Sequence, residues 1–153
     1  MHVLLINGSP HEKGCTYTAL SLVAGELNAA GITTEILNVG TKPVGGCIGC
    51  GGCAKGNGCV FGGVVNEAIE KARTADAFVF GTPVHYASAS GNMTSFLDRL
   101  AYAGGKYLAY KPAAICASAR RAGTTSALDQ LVKYPEFFHM PLVNGSYWAM
   151  VHG

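Results

Sequence analysis

Two patterns of apolar residues alternate along the chain. His2–Asn7 (HVLLIN) is a continuous apolar run, as expected of a strand buried on both faces. Leu20, Val23, Ala24 and Leu27 then recur at i, i+3, i+4 and i+7 and predict an amphipathic helix, ended by Gly31. Residues 33–39 (TTEILNV) predict a second strand, polar enough for a sheet edge. Val65, Ala68, Ile69 and Ala72 mark a second helix, and residues 77–81 (AFVFG) a third, fully apolar strand. Met93, Phe96, Leu97 and Leu100 mark a third helix, and residues 113–118 (AAICAS) a fourth strand. Leu128, Leu131 and Val132 mark a fourth helix, and residues 141–145 (PLVNG) begin a fifth strand region running towards Val151.

Strand alternating with helix in this way predicts a parallel sheet covered on both faces, because parallel neighbours need crossover connections. The expected fold is a single α/β domain over residues 1–153, a flavodoxin-like three-layer sandwich. Its five-stranded parallel sheet has the order 2-1-3-4-5, with the polar second strand at an edge. The helix that should follow the fifth strand is missing, since the sequence stops at MVHG. A bare sheet face is costly, so either a truncated chain or a covering partner subunit is expected.

Composition narrows the function classes. The 153 residues are 49% apolar and only 13% charged, which is globular rather than disordered. A net charge of +2 from dispersed Lys and Arg makes no basic stripe, which argues against nucleic acid. No apolar run is long enough for a signal peptide or a membrane span, so a cytoplasmic location is expected. Six cysteines in a reducing compartment point to metal or redox chemistry before disulfides.

The loop after the first strand, NGSPHEKGCTYTAL, combines the hydroxyls of Ser9, Thr16 and Thr18 with His11, Lys13, Gly8 and Gly14. Leading into a helix N-terminus, it turns unpaired N–H groups and the helix dipole towards one point, a setting for phosphate. It is neither a P-loop nor a G-x-G-x-x-G fingerprint, and an ordinary capped turn would read the same way. Ligands of open parallel sheets sit beyond the carboxyl ends of the strands, where strand order reverses. There the loop after the third strand offers Pro83, Val84, His85 and Tyr86 as a wall for a flat ring. The loop after the fourth offers Arg120, Arg121, Gly123 and Thr124. A flat phosphorylated heteroaromatic such as FMN satisfies all three loops. His85 is not assigned proton transfer.

The stretches GSPHEKGCT, GTPVHYASASGNMTSFLDR, SARRAGTT and YWAMVHG resemble the NADPH-dependent FMN reductase family, in particular its iron–sulfur flavoprotein subgroup. The likeness covers essentially the whole chain in order. Its most specific part is the T-P-V-x-Y stretch leading to a helix with Asp98-Arg99. The resemblance implies a flavodoxin-like fold, bound FMN, and electron transfer linked to NAD(P)H or ferredoxin, in a homodimer or homotetramer. It implies FMN phosphate binding by Ser9, His11, Gly14, Cys15 and Thr16. Pro83, Val84, His85 and Tyr86 would then line the isoalloxazine, with Ser118, Arg121, Gly123 and Thr124 closing its other side. The flavin carries the chemistry and no catalytic side chain is required. Two departures stand out. Cys15 and His11 replace the more usual Asn or Ser and Arg, and VFGGVV follows Cys59 where relatives often carry an acidic pair.

One segment, at about residues 45–62, falls outside the strand–helix alternation. GGCIGCGGCAKGNGC places Cys47, Cys50, Cys53 and Cys59 in a C-x2-C-x2-C-x5-C spacing. The first three match the compact ferredoxin run for a [4Fe–4S] cluster, with Cys59 completing the set. Structural zinc prefers two separated knuckles, and a loop of unmetallated thiols is the third reading. Cys116, inside an apolar strand, is expected to be a packing residue. The segment follows the second strand, so it leaves the same rim as the flavin loops. The expected activity is therefore that of an FMN-dependent NAD(P)H oxidoreductase passing electrons to a small acceptor such as a flavin or quinone. The alternative is an iron–sulfur electron carrier that exchanges electrons with ferredoxin.

Overall fold

In the computed structural model, which describes residues 1–153, the first apolar run becomes β1 (His2–Asn7), in the interior of a sheet. β1 pairs in parallel with the edge strand β2 (Thr33–Asn38) and with β3 (Ala77–His85). β3 pairs with β5 (Ala113–Ala119), and β5 with β6 (Met150–His152), both in parallel. The order β2-β1-β3-β5-β6 is the expected 2-1-3-4-5 order of a flavodoxin-like sheet. An added two-residue strand, β4 (Ser88–Ala89), folds back antiparallel on β3.

Three helices, α2 (Val64–Thr74), α3 (Gly91–Gly104) and α4 (Thr124–Phe137), share the larger core with β1, β3 and β5. Val65, Ala68, Ile69 and Ala72 of α2 are all buried, as are Met93, Phe96, Leu97 and Leu100 of α3. The Val, Ile, Leu, Met and Phe side chains among them contribute about 1.5–3 kcal/mol each when fully buried. α1 (Cys15–Ala29) alone covers the opposite face, with Ala19, Leu20 and Ala24 against Val3, Leu5, Val79 and Cys116.

Two elements depart from expectation. Val23 is exposed and Ala19 takes its place in the core, because the buried stripe of α1 runs through Thr16, Ala19, Leu20 and Ala24. The fifth strand region is not continuous. Leu142 makes a single bridge to Ala113, and the chain rejoins the sheet only at Met150. Asn144-Gly145-Ser146 interrupts it with turn-forming residues.

Cys116 is the packing residue expected. Burial pushes its thiol up to about 11 from an ordinary value of 9.0. The folded thiol thus holds its proton more tightly than the unfolded one. Its contribution to stability is complete below pH 9 and lost as pH rises towards 11. Up to about 3 kcal/mol is involved, from about 1.4 kcal/mol per unit. Urea unfolding at stepped pH should show this decline in the native chain, and Cys116→Ala should remove that component.

Candidate functional site

The first loop is organised by a residue that sequence reasoning passed over. Asn7, fully buried at the end of β1, accepts the Ser9 N–H on Oδ1 (3.2 Å) and donates from Nδ2 to Asn38 Oδ1 (2.8 Å). Ser9 is itself buried, and its Oγ accepts the His11 N–H (3.1 Å). Ser9 therefore shapes the loop. Thr16 is also buried, and its Oγ1 lies 2.7 Å from Ser118 Oγ, tying the start of α1 to the end of β5. One of these hydroxyls donates to the other, which leaves the pair one hydroxyl hydrogen for a ligand.

The start of α1 adds backbone groups. Gly14 caps α1 with no side chain of its own to offer, and the first intrahelical bond runs from Thr18 N to Gly14 O (3.0 Å). The amides of Cys15, Thr16 and Tyr17 precede it, at the positive end of a 15-residue helix. His11, Lys13 and Cys15 are exposed around this point, as is the carboxylate-bearing Glu12.

Backbone approach holds the loop in place. The Gly8 N–H donates to Gly81 O of β3 (2.8 Å), and Ser90 Oγ donates to Gly8 O (2.8 Å). Gly40, just past β2, lies so close that a Cβ there would overlap the carbonyl oxygens of Gly8 and Ser9.

The ring-facing loops also meet. An open groove of about 350 Å³ is lined by Val84 of β3 and Tyr86 and Ala87 of the β3–β4 turn, and by Ala119 at the end of β5 with Arg120, Arg121 and Ala122 beyond it. Gly123, at φ +105°, lies between them, since a Cβ there would stand 2.7 Å from Ala87 Cα and 3.0 Å from Val84 Cγ1. Of the ring residues expected from sequence, the structure brings Val84, Tyr86 and Arg121 to this groove, with Gly123 at its join. Pro83 and exposed His85 do not line it. Thr124 is turned to β6, its Oγ1 donating to Met150 Sδ (3.0 Å).

The turn that presents Tyr86 is strained. Tyr86 and Ala87 have φ of 51° and 59°, and they join the paired residues His85 and Ser88 in a two-residue hairpin. Such turns favour Asn-Gly. Gln130 of α4 clamps this one, its Oε1 accepting from Ser88 Oγ (2.6 Å) and Ala89 N (3.0 Å). Ala87→Gly should raise stability by about 0.5–1 kcal/mol, since an L-residue in this region costs about 1–2 kcal/mol and glycine recovers part of that. A shift in the urea midpoint at unchanged slope measures it.

The cysteine segment is not a free loop. At its start, Asn92 of α3 donates to Gly40 O (2.9 Å) and Lys42 O (3.1 Å) and accepts the Val44 N–H (3.2 Å). At its end, Asn66 of α2 accepts the Cys59 N–H (2.8 Å) and donates to Cys59 O (3.0 Å). Between these, Arg99 of α3 donates to Gly45 O, Gly62 O and Cys59 Sγ. Cys53 lies on a short 3-10 turn, Gly52–Lys55.

Cys47, Cys50, Cys53 and Cys59 all line one cavity of about 240 Å³, walled by Ile48, Val60, Phe61, Arg99, Tyr102 and Ala103. No three of these thiols, with or without a His, Asp or Glu, form a group able to hold a metal ion as they stand. The segment leaves β2 beside the phosphate loop, as expected, but the cavity lies further along α3. Gly91 starts that helix at the rim, and Arg99 is about 12 Å along its axis at 1.5 Å per residue.

These loops define a flavodoxin-like domain with a helix N-terminus and an open groove at the carboxyl ends of its strands. The chain belongs to the NADPH-dependent FMN reductase family, whose sequence model matches residues 1–153. An iron-sulfur flavoprotein of Archaeoglobus fulgidus is 33% identical over 99 residues, 65% of this chain and 48% of that one. An iron-sulfur flavoprotein of Methanocaldococcus jannaschii is 30% identical over 99 residues, 65% of this chain and 51% of that one. The chain thus spans about half the length of these curated relatives. Among solved structures, the apo form of the NADH:FMN oxidoreductase EmoB matches with a TM-score of 0.72 at 22% identity, covering 98% of this chain and 75% of that one. That likeness is one of fold. No helix is long and apolar enough to cross a membrane.

Proposed function

We propose that this domain binds FMN and works as an NAD(P)H-dependent oxidoreductase, taking electrons from a reduced nicotinamide and delivering them to a small acceptor such as a flavin or quinone. The observation that carries this reading is the convergence of the α1 amides with the Val84–Tyr86–Arg121 groove on one rim. Both ends of FMN find matching chemistry there. The amides of Cys15, Thr16 and Tyr17 suit a phosphate, and a groove narrowed by Gly123 suits a planar ring. When bound, FMN supplies hydride acceptance and single-electron exchange.

The chain's own residues bind and orient. Asn7 and Ser9 hold the phosphate loop in shape, and the Thr16–Ser118 pair fixes α1 against β5. Val84 and Tyr86 form one wall of the ring site, and Arg120 and Arg121 bring positive charge to the other. No side chain is assigned as acid or base.

A second reading is favoured by the cavity that gathers all four loop cysteines. In it the domain is an electron carrier in which Cys47, Cys50, Cys53 and Cys59 hold a [4Fe–4S] cluster and exchange electrons with ferredoxin. The donor set fits in number and softness. Ligation needs the sulfurs to draw closer, and Gly49, Gly51, Gly56 and Gly58, all at positive φ, give the backbone freedom to do so. Zinc and unmetallated thiols are the competing occupancies.

Anaerobic oxidation of NADH and NADPH by the FMN-loaded chain tests the first reading. Turnover with either nucleotide is the expected result. No turnover with either, beside fast reduction by ferredoxin, selects the carrier.

A further inference from the structure

Arg99 stands out because its charge has no carboxylate partner. Its side chain is only 7% exposed, and a guanidinium stays charged wherever it is placed. The adjacent Asp98 is engaged elsewhere, its Oδ1 accepting from Tyr134 Oη (2.6 Å). The chain's ion pairs lie at Met1, His2, Lys71 and Arg73, none involving Arg99. A buried charge without an opposite charge is expensive.

What surrounds Arg99 is the cysteine segment. Nη1 donates to Gly45 O (3.3 Å) and Nη2 to Gly62 O (3.0 Å), so one side chain holds both ends of that segment. Nε donates to Cys59 Sγ (3.2 Å), and the guanidinium carbon lies 5.5 Å from the Phe61 ring centroid. Arg99 also lines the cavity into which all four cysteines open. The two carbonyls are dipoles and give no net negative charge. Sulfur is the only neighbour that can supply one.

We propose that Arg99 is a positioning residue and counter-charge for a thiolate-bound iron–sulfur cluster at Cys47, Cys50, Cys53 and Cys59. This rests on the cluster occupying that cavity, as in the carrier reading. Reduction adds one electron and no atom to such a centre and makes it more negative. An N–H donor and a fixed positive charge at Cys59 sulfur therefore stabilise the reduced form more than the oxidised form. Hydrogen bonds to sulfur and local charge are among the determinants of cluster potential. Arg99 thus raises the potential while its two carbonyl bonds keep the segment closed.

The test uses the full chain, reconstituted anaerobically with ferrous iron and sulfide, beside Arg99→Met and Arg99→Lys. Iron, sulfide and FMN are assayed, and the midpoint potential is read by dithionite titration followed by electron paramagnetic resonance. Arg99→Met should shift the reduction equilibrium about tenfold towards the oxidised form, about 59 mV for one electron. Arg99→Lys, which keeps the charge and loses the fork, should shift it less. Iron-loaded variants at the wild-type potential would overturn the role of Arg99 and leave the cluster standing. A wild-type chain that takes up no iron and sulfide would overturn both. If Arg99→Met does not fold, the potential of Arg99→Lys decides alone.

Discussion

Gly40→Ala should weaken FMN binding by about 100-fold, close to 2.7 kcal/mol, in a fluorescence titration of the chain with FMN. Gly40 is buried at the exit of β2, where the peptide backbone passes directly against the phosphate loop. An added methyl group would overlap the carbonyl oxygens of Gly8 and Ser9. These are main-chain atoms with no rotamer to escape into. Gly8 is pinned by its N–H donating to Gly81 O and by Ser90 donating to its carbonyl, and Ser9 by Asn7. Relief must come from moving the loop off the start of α1, where the phosphate donors are. Overpacking of this kind costs about 1–3 kcal/mol in stability as well. Gly25→Ala is the control: Gly25 sits in α1 with nothing within 4 Å of an added Cβ. It should leave FMN affinity unchanged and raise stability by up to about 1 kcal/mol.

On the carrier reading, Cys59→Ala should reduce the iron and sulfide of the anaerobically reconstituted chain to near zero while FMN binding is retained. Cys59 is the best-held of the four thiols. Asn66 fixes its backbone with two bonds and Arg99 reaches its sulfur. The ring groove and the phosphate loop share no residue with the cysteine cavity, so the two losses are separable. Cys116→Ala, on the far face of the sheet, should keep its iron. Iron retained by Cys59→Ala would remove Cys59 from the ligand set.

Particular residues explain how far the sequence could be read. The continuous runs of β1, β3 and β5 mark central strands because both of their faces are covered. The four-residue stripes of α2 and α3 are buried in full because one broad face meets the sheet. β4 was not legible, since Tyr86-Ala87 lacks the glycine or asparagine that announces such a turn. In the site, the loops and their convergence were legible from position beyond the strands. The internal bonds of the hydroxyls were not: Ser9 accepts from His11, Thr16 and Ser118 share one bond, and Thr124 donates to Met150. Asn7, Asn66, Asn92 and Arg99 hold the loops through partners up to 54 positions away, a proximity that only the fold creates.

On the proposed function, one rim of this domain holds FMN by its phosphate and its ring together. Parallel titrations of the purified chain with FMN and with riboflavin test it most directly. Saturable binding of one FMN per chain is expected, with riboflavin, which lacks the phosphate, at least about 100-fold weaker, some 2.7 kcal/mol. No saturable FMN binding, or equal affinity for the two, would contradict it.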